Sequence, residues 1–390
     1  MSYKVGVVTG TRAEYGVLRE LLFKLKSCAE IDFKLIVTGA HLSKGFGNTV
    51  TEIEEDGFKD YIKVPIPIED DSKEGIAKST GVAITAFAEV FSDYRPQLLV
   101  LLGDRYEIYA AGSAAFLLNI PIAHISGGDV TEGAIDDTIR HCLTKMSSIH
   151  FPGCEQSAKR IVQMGEQPDK VFNVGEPGVE NCIKADLYSR VKLAESLNVD
   201  WVVDKDYAVV TFHPVTREDG TAQSQVYELI KAMDEHNEFC YIITMANADA
   251  GGRLINDIWI SEGQKRDNWL VVTSLGAIRY LSAVKYAKLV IGNSSSGIIE
   301  APSLKTPTVN IGDRQKGRMM ADSIVCCEPI ECEIVRAIDT TQTLEFATLT
   351  QNVESPFGDG TTSDRILEKI LEVLHSGENL TNKHFFDTNC

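Results

Sequence analysis

The sequence lacks C-x-x-C pairs, and its nine cysteines are odd in number and scattered along 390 residues. A disulfide framework is therefore not expected, and free thiols in a reducing compartment explain these cysteines best. A long apolar run is also missing, because the longest mostly apolar stretch, Ala110 to Ile125, is short and is broken by Asn119 and Pro121. The first ten residues have a strand pattern and no signal-peptide pattern. We therefore expect a soluble, cytoplasmic protein without a membrane partner.

An excess of positive charge is absent as well. Lysine and arginine number 38 against 56 aspartates and glutamates, which gives a net charge of -18. Such a surface repels a phosphate backbone, so nucleic acid is not an expected partner. A phosphorylated small molecule is compatible with this charge, because a few arginines and helix N-termini can form a local anion site.

Three signatures of catalytic sites are missing. The chain has no G-x-G-x-x-G fingerprint for a nicotinamide cofactor, no H-E-x-x-H or Cys/His spacing for a metal ion, and no G-x-S-x-G nucleophile elbow. The sequence therefore predicts no cofactor and no metal site.

The chain does contain a repeated alternation of strand and helix signals, which is typical of parallel α/β sheets. The predicted strands of the first series are Lys4–Thr9, Phe33–Thr38, Leu98–Leu102, Ile120–Ile125, Ile149–Phe151 and Val171–Val174. Those of the second series are Tyr207–Phe212, Phe239–Thr244, Trp269–Val272, Leu289–Ile291 and Thr308–Ile311. Since 390 residues exceed what one hydrophobic core usually supports, we predict two Rossmann-like, doubly wound domains.

A cluster of glycine and proline at 175–178 predicts the boundary between these domains. The predicted domains are residues 1–176 and 177–375, followed by a polar, frayed tail at 376–390. The last predicted helix, Asp364–Leu374, could pack back on the first domain. Two such sheets are expected to face a central cleft, with ligands beyond the carboxyl ends of the strands.

The first candidate site is the segment Thr9–Gly16, which follows the first strand and opens a helix. A glycine turn and a helix N-terminus can bind an anion, and Arg12 adds a guanidinium fork for phosphate. A plain tight turn with a solvated arginine explains the same residues.

The second candidate site is Gly292–Glu300, with the sequence GNSSSGIIE. Small residues let backbone N–H groups approach a diphosphate, and the three serines supply further donors. Glu300 is then placed to accept hydrogen bonds from ribose hydroxyls. A serine-rich helix cap is the simpler interpretation, but the run is longer than a cap requires.

The third candidate site is a group of carboxylates at two adjacent strand ends. Asp104 follows one strand and is either a catalytic group or a helix N-cap, while Asp129 follows the next strand and Glu132 and Asp136 come soon after. Crowded carboxylates have pKa values that separate, which suits acid/base chemistry.

In the second domain, His213 closes the first strand and Asn247 follows the next. A lone histidine is often only a hydrogen-bonded structural residue, and Asn247 could face either a substrate or solvent.

Seven motifs in this order resemble those of one enzyme family: TGTRAEYG, LLGDR, HISGGD with IDDTIRH, TFHPVT, NADAGG, GNSSSGIIEAPS and IGDRQKGR. The chain is similar over nearly its whole length to the hydrolysing UDP-N-acetylglucosamine 2-epimerases, including the epimerase half of the bifunctional animal sialic-acid enzyme. The resemblance implies the two-domain glycosyltransferase-B fold and the conversion of UDP-GlcNAc and water to UDP and N-acetylmannosamine for sialic acid biosynthesis. In that reaction UDP leaves C1 as a proton leaves C2, and water adds to the resulting 2-acetamidoglucal. No cofactor is needed.

The resemblance also implies roles for individual residues. The implied catalytic residues are Asp104, Asp129, Asp136 and His213. The implied UDP-binding residues are Arg12, Arg105, Asn247, Ser294, Ser295, Ser296, Glu300 and Arg314, and His213 and Arg314 would lie beside the diphosphate. The family usually carries glutamate where this chain has Asp129, so either Asp129 or Glu132 could be the base at C2.

Four alternatives are left open. The substrate could be UDP-2,4-diacetamido-2,4,6-trideoxyglucose of legionaminic acid synthesis. A retaining UDP-sugar glycosyltransferase would share the diphosphate site without needing three carboxylates. A non-hydrolysing epimerase usually has Gly-Asp-Thr where this chain has Gly103-Asp104-Arg105, and a catalytically silent nucleotide-sugar sensor could retain the UDP site. From the size of the chain we expect a homodimer or homotetramer.

Overall fold

The computed structural model describes residues 2–43, 45, 48–70, 72–132, 135–214, 220–246 and 251–388. Asn247, one of the predicted UDP-binding residues, lies outside the described residues. The chain divides into two compact units. Unit 1 contains the described residues of 1–129, 136–181 and 357–390, and unit 2 contains those of 130–135 and 182–356.

Each unit is built on one parallel sheet of six strands. The strands of unit 1 are β1 Tyr3–Thr9, β2 Ile31–Thr38, β3 Tyr61–Val64, β4 Leu98–Leu102, β5 Ile122–Ile125 and β6 Ile149–Phe151. Those of unit 2 are β7 Tyr207–Thr211, β8 Cys240–Thr244, β9 Trp269–Val272, β10 Leu289–Gly292, β11 Thr308–Ile311 and β12 Ile324–Cys327.

Both sheets have the same strand order. The order is β3-β2-β1-β4-β5-β6 in unit 1 and β12-β11-β10-β7-β8-β9 in unit 2, so the second is the first read from the opposite edge. In this Rossmann order the direction in which successive strands are added reverses at one point of the sheet, between β1 and β4 or between β7 and β10. Ligands bind beyond the carboxyl ends of these strands. The prediction of two doubly wound α/β domains is confirmed.

The helices cover both faces of each sheet. In chain order they are α1 Arg12–Ser27, α2 Val50–Glu55, α3 Lys73–Tyr94, α4 Tyr106–Leu117, α5 Asp136–Met146, α6 Glu155–Gln163, α7 Pro177–Lys184, α8 Arg190–Leu197, α9 Trp201–Asp204, α10 Ala222–Glu235, α11 Gly252–Gly263, α12 Ala277–Tyr286, α13 Ser295–Ile299, α14 Glu331–Gln342, α15 Leu344–Asn352 and α16 Thr362–Ser376.

Strand residues alternate between the two cores of unit 1. Val5 and Val7 of β1 join the core formed with α1 and α16, whereas Val8 joins the core formed with α3 and α4. Because successive side chains of a strand point to opposite faces, a sheet covered on both faces is apolar almost throughout. Unit 2 repeats the arrangement, with α10, α11 and α14 on one face and α8, α9 and α12 on the other.

Three strand predictions need correction. Val171–Val174 is not a strand, because only Val171 forms an isolated bridge, to His150, after the short 3-10 helix Pro168–Lys170. β3 and β12 were not predicted. Both are four-residue edge strands with partly exposed side chains, and such strands lack the long β-branched run that the prediction required.

The compact units also differ from the predicted domain bounds. Residues 357–375 were assigned to the second domain, with a last helix that could pack back on the first, and they lie in unit 1, where α16 packs on α1. The tail was expected to fray. In the structure Lys383 Nζ donates to the carbonyl oxygens of Lys145 and Ser147, and Phe386 N donates to Gly165 O at 2.9 Å.

Candidate active site

Arg140 organises the carboxylates of unit 1. Its side chain is 2% exposed and comes from α5. Nε and Nη2 both donate to Asp104 Oδ2, the former at 2.8 Å, and Nη1 donates to the backbone carbonyl of Asp129 at 2.9 Å. Burial disfavours the guanidinium charge, yet the carboxylates of Asp104, Asp129 and Asp137 together hold the pKa of Arg140 above its usual range. The structure thus joins the ends of β4 and β5 through one cation.

Asp129 is a buried carboxylate, 4% exposed. Ser157 Oγ of α6 donates a hydrogen bond to its Oδ1. The preceding Gly128 has φ of +80°, and a Cβ there would lie 2.4 Å from Ser157 O. Only glycine tolerates both the positive φ and the close approach, so Gly128 fixes the direction in which Asp129 points.

The other two acidic candidates occupy different surroundings. Asp136 is the first residue of α5 and is partly buried, a position in which the helix dipole stabilises a carboxylate. Glu132 is exposed, lies in unit 2, and has its carboxylate 4.0 Å from Lys316 Nζ. Glu132 is therefore an exposed carboxylate beside a lysine, whereas Asp129 is buried.

Two histidines next to this group have lowered pKa values. His124 of β5 is fully buried, its Nε2 lies 2.7 Å from Gly103 O, and burial lowers its pKa to about 4. Burial also lowers the pKa of His141, although Asp137 opposes that change. Both imidazoles are therefore mainly neutral at pH 7.

The backbone N–H groups of the turn after β1 are already hydrogen-bonded to a side chain of the protein itself, Glu14. Its Oε2 accepts hydrogen bonds from the backbone N–H groups of Gly10 and Thr11 at 2.7 and 3.2 Å, and Thr11 Oγ1 accepts from Glu14 N in a complete capping box. Glu14 thus occupies the N–H groups of Gly10 and Thr11 that were predicted to bind phosphate. Arg12 is partly exposed, and its Nη1 lies 3.5 Å from Glu52 Oε1.

Arg105 comes from the turn after β4, beside Asp104. Its Nε donates to Oε1 of Glu107 at 3.1 Å, and the Glu107 side chain is 1% exposed. Glu107, in the first turn of α4, thus fixes the direction of the Arg105 side chain.

In unit 2, Asn293 holds His213 at the sheet position where the strand order reverses. Its Oδ1 accepts from His213 N at 2.7 Å and its Nδ2 donates to His213 O at 2.8 Å. The adjacent Gly292 has φ of +135°, and a Cβ there would lie 2.0 Å from Thr211 O. Because only glycine fits this contact, Gly292 brings the ends of β7 and β10 together and places His213 beside Asn293.

The serine run opens the five-residue helix α13. Ser294 is its N-cap and accepts from Ser296 N at 3.4 Å, while Ser296 Oγ donates to Oε2 of Glu300. The cap interpretation therefore applies to Ser294. Burial raises the pKa of Glu300, opposed by the hydrogen bond from Ser296. Tyr280 of α12 has a buried hydroxyl near Glu300, and burial raises its pKa to about 12.

Arg314 approaches the same strand end from the turn after β11. Its Nη1 donates to Asn293 O at 3.1 Å, and Gln315 Nε2 donates to the same oxygen at 2.9 Å. Asn293 is therefore hydrogen-bonded to His213 and Arg314, and Ser294 is its neighbour in the chain. Ser295 is the first residue of α13 and is partly buried.

Sequence reasoning missed several of these residues. Arg140, Ser157, Glu107 and Gln315 reach the sites from helices or turns whose side-chain directions depend on tertiary packing, so no local pattern singles them out. Asn293 offered a weak signal, because an amide directly after a buried strand lies at the edge where ligands bind.

Comparison with known proteins gives the family. The family model described as UDP-N-acetylglucosamine 2-epimerase matches residues 24–371. The chain belongs to the UDP-N-acetylglucosamine 2-epimerase family. The predicted resemblance is thereby confirmed.

Members of this family and solved structures match the whole chain or most of it. A relative from Campylobacter jejuni, the GDP/UDP-N,N'-diacetylbacillosamine 2-epimerase (hydrolyzing), is 40% identical over 83% of this chain and 84% of its own. The polysialic acid biosynthesis protein P7 of Escherichia coli is 37% identical over 98% and 97%. The crystal structure of UDP-GlcNAc 2-epimerase from Neisseria meningitidis bound to UDP-GlcNAc superposes with a TM-score of 0.79, 19% identity, and coverage of 95% and 100%. That likeness confirms the predicted glycosyltransferase-B type of fold.

In the described residues, no helix is both long and apolar enough to cross a membrane. Within the same ranges, no group of three or more His, Cys, Asp or Glu side chains is arranged to hold a metal ion.

Proposed function

We propose that this member of the epimerase family is a hydrolysing 2-epimerase that acts on a UDP-linked 2-acetamido sugar. The products are UDP and a free sugar whose configuration at C2 is inverted. The C2–H bond and the C1–O bond to UDP break in an anti elimination, which forms a 2-acetamidoglucal. Water then adds across the double bond, with its oxygen at C1 and a proton at C2.

The observation that carries this proposal is the Asp104–Arg140–Asp129 group at the ends of β4 and β5. Two nearby carboxylates in unequal environments suit a reaction that needs both a base and an acid. The Asp104 carboxylate is engaged by the cation, because its Oδ2 accepts twice from the Arg140 guanidinium, whereas Arg140 Nη1 donates to the backbone carbonyl of Asp129. We assign the removal of the C2 proton to Asp129, and a supporting role near C2 to Asp104.

The choice of Asp129 over Glu132 rests on burial and charge. Asp129 is buried beside the other carboxylates, whereas Glu132 is exposed and close to Lys316. Asp129 is one methylene shorter than the glutamate that the family usually carries here. A backbone closer to the substrate would compensate for this, and Arg140 holds the backbone carbonyl of Asp129 in place. Asp136 would protonate the leaving oxygen or assist the hydration.

Unit 2 would bind the UDP portion. In this proposal Ser294, Ser295 and Ser296 approach the diphosphate, Glu300 accepts hydrogen bonds from the ribose, and His213 and Arg314 compensate the phosphate charge. Charge-assisted hydrogen bonds from such groups are the strong ones in phosphate binding. Arg12, Arg105 and Asn247 complete the proposed set.

Two substrates are candidates. UDP-GlcNAc, which would yield N-acetylmannosamine for sialic acid synthesis, is our first choice. The 40% identical Campylobacter jejuni relative is named for N,N'-diacetylbacillosamine, which favours UDP-2,4-diacetamido-2,4,6-trideoxyglucose as the second. A cytoplasmic location and a homodimer or homotetramer stay predictions from the sequence.

Product analysis with both substrates tests the proposal. We expect proton NMR to detect UDP together with a C2-inverted free sugar, without any acceptor, and a kcat/KM that differs between the substrates by about 100-fold or more, since a site that binds a hydroxyl rejects an analogue that lacks it. Accumulation of a UDP-linked C2 epimer as the stable product would contradict hydrolysis. Tight UDP binding with no turnover of either sugar would contradict catalysis.

A further inference from the structure

Glu14 and Glu107 form a second carboxylate pair in unit 1, and neither has a role in the proposed reaction. They follow β1 and β4, the two strands between which the order of the sheet reverses. A Cβ built on Gly10 would lie 2.9 Å from Cγ of Glu107 and 3.4 Å from Oε2 of Glu14. Both carboxylates therefore converge on the same side of Gly10, where glycine leaves the space that they occupy.

One oxygen of each carboxylate lacks a hydrogen-bond partner. Glu14 Oε2 accepts from two backbone N–H groups and Glu107 Oε1 accepts from Arg105. Within the described part of the chain, Oε1 of Glu14 and Oε2 of Glu107 are buried and have no partner. A buried polar atom without a partner is costly, and a proton on one carboxyl group would let it donate to the other.

The charges of this cluster lead to the same conclusion. Among the described residues Arg105 contacts Glu107, and two ionised carboxylates beside this single guanidinium would leave one negative charge in a desolvated place. Buried charges are normally paired or neutralised. One added proton brings the total charge of the two carboxyl groups and the one guanidinium to zero.

We propose that Glu14 and Glu107 share one proton at neutral pH, and that this pair positions Arg105 and the Gly10–Thr11 turn. Glu107 holds the Arg105 guanidinium through Nε, and Glu14 holds the turn through two backbone N–H groups. They act as positioning residues, because they fix groups that would contact the substrate.

The surrounding titratable groups support the shared proton. Burial, followed by the charge of Glu107, raises the pKa of Glu14 from 4.5 to about 8, while Arg105 and the N–H groups of Gly10 and Thr11 act in the opposite direction. Tyr106 at the start of α4 has its pKa raised to about 12 and is neutral. His41, after β2, has its pKa lowered to about 4 by burial and is also neutral. The charge of Arg12 is compensated by Glu52.

Infrared spectroscopy of protein labelled with ¹³C-glutamate tests the shared proton without any substrate. We expect the C=O band of a protonated glutamic acid at pH 7, which disappears as the pH is raised to about 10. Glu14→Gln should remove the band. Glu107→Gln should move the midpoint of its loss to lower pH by about one unit or more, because one negative charge is removed from the pair.

The matched control is Glu20→Gln, on the same helix α1, which should change neither the band nor its midpoint. Absence of the band at pH 7 in the wild type would overturn the proposal. So would a midpoint that Glu107→Gln leaves unchanged, because the proton would then belong to Glu14 alone.

The effect on Arg105 rests on the proposed function and has a separate readout. Above pH 8 the second carboxylate ionises and competes with the substrate for Arg105. The KM for the UDP-sugar should therefore rise by about tenfold in the wild type and stay constant with pH in Glu14→Gln. The kcat of Glu14→Gln at pH 7 should stay within about threefold of the wild-type value. A flat wild-type KM would overturn the positioning role. If the enzyme turns over neither sugar, the proposed function fails while the infrared result still decides the shared proton.

Discussion

At the scale of single residues, a few buried residues each make hydrogen bonds to several others. Arg140 joins Asp104 to the backbone of Asp129, and Asn293 joins His213 to the turn that carries Arg314. Their removal leaves buried partners without hydrogen bonds, and such losses are larger than those of exposed ion pairs.

We predict that Arg140→Lys lowers both stability and activity. Lysine keeps the charge but lacks the guanidinium fork, so it cannot serve Asp104 and Asp129 O together. The free energy of unfolding in urea should fall by about 2–4 kcal/mol, and kcat should fall by about 100-fold because the carboxylates shift. Arg365→Lys, at the exposed pair with Asp359, is the control and should cost less than about 0.5 kcal/mol. An unchanged kcat in Arg140→Lys would contradict the role given to this residue.

A second prediction concerns the amide of Asn293. Asn293→Ala removes partners from two buried backbone groups of His213, and should lower the free energy of unfolding by about 2–4 kcal/mol. Asn293→Asp should cost at least as much, because its second oxygen would face His213 O. Asn352→Ala, on the exposed face of α15, should stay within about 0.5 kcal/mol. Milder destabilisation by Asp than by Ala would mean that the donor to His213 O matters little.

At this scale the sequence indicates where a side chain lies along a strand or turn better than which residues it bonds to. Asp104, Asp129 and His213 were singled out as candidates because they come within a few residues of the end of a buried strand, and a sheet edge follows from chain order alone. The hydrogen bonds of Glu14 were not predicted, although a glutamate three residues after Thr11 is the pattern of a capping box. Arg140 reaches the site across the distance between α5 and β4, which no local pattern encodes.

At the scale of elements, the carboxyl-terminal tail is held to unit 1 by a buried carboxylate. Glu166 accepts from Lys145 Nζ and lies 2.9 Å from His150 Nε2 and 2.7 Å from Lys383 Nζ. Burial opposes its charge, but His150, Lys145 and Lys383 lower its pKa to about 2. The residues after α16 are thus part of the fold of this unit.

This network predicts an acid-dependent stability. A carboxylate whose pKa is lowered from 4.5 to about 2 on folding stabilises the protein fully above pH 4.5, and the effect is lost as the pH falls towards 2. Urea unfolding should therefore show wild type more stable than Glu166→Gln by on the order of 3 kcal/mol at pH 7, with a difference that shrinks below pH 4.5. Glu155→Gln, at an exposed ion pair on α6, should show no such trend. A difference that is constant with pH would contradict the account of Glu166.

Elements were predictable where burial on both faces makes the pattern strong. The interior strands β4 and β11 have the predicted bounds, since a central strand of a doubly wound sheet is a continuous apolar run. The edge strands β6 and β9 also have the predicted bounds. The edge strands β3 and β12 were missed because they are short and their side chains are partly exposed, and Val171–Val174 was wrongly assigned because a strand also needs a partner strand beside it.

At the scale of the whole molecule, the chain repeats one topology twice with different chemistry. Unit 1 places carboxylates at the carboxyl ends of its strands, and unit 2 places an amide, hydroxyls and an arginine there. The repetition was visible in the sequence as two series of strands. The return of the last helix to unit 1 was predicted only as a possibility, because it depends on the packing of α16 against α1.

The proposed elimination is tested most directly by turnover in D₂O. Because C2 loses its proton and regains one from solvent, the released sugar should carry one deuterium at C2, detected by NMR, together with free UDP. Asp129→Asn should abolish both, while Glu132→Gln should retain them. UDP released with a sugar that keeps its original hydrogen at C2, or full turnover in Asp129→Asn, would contradict the account.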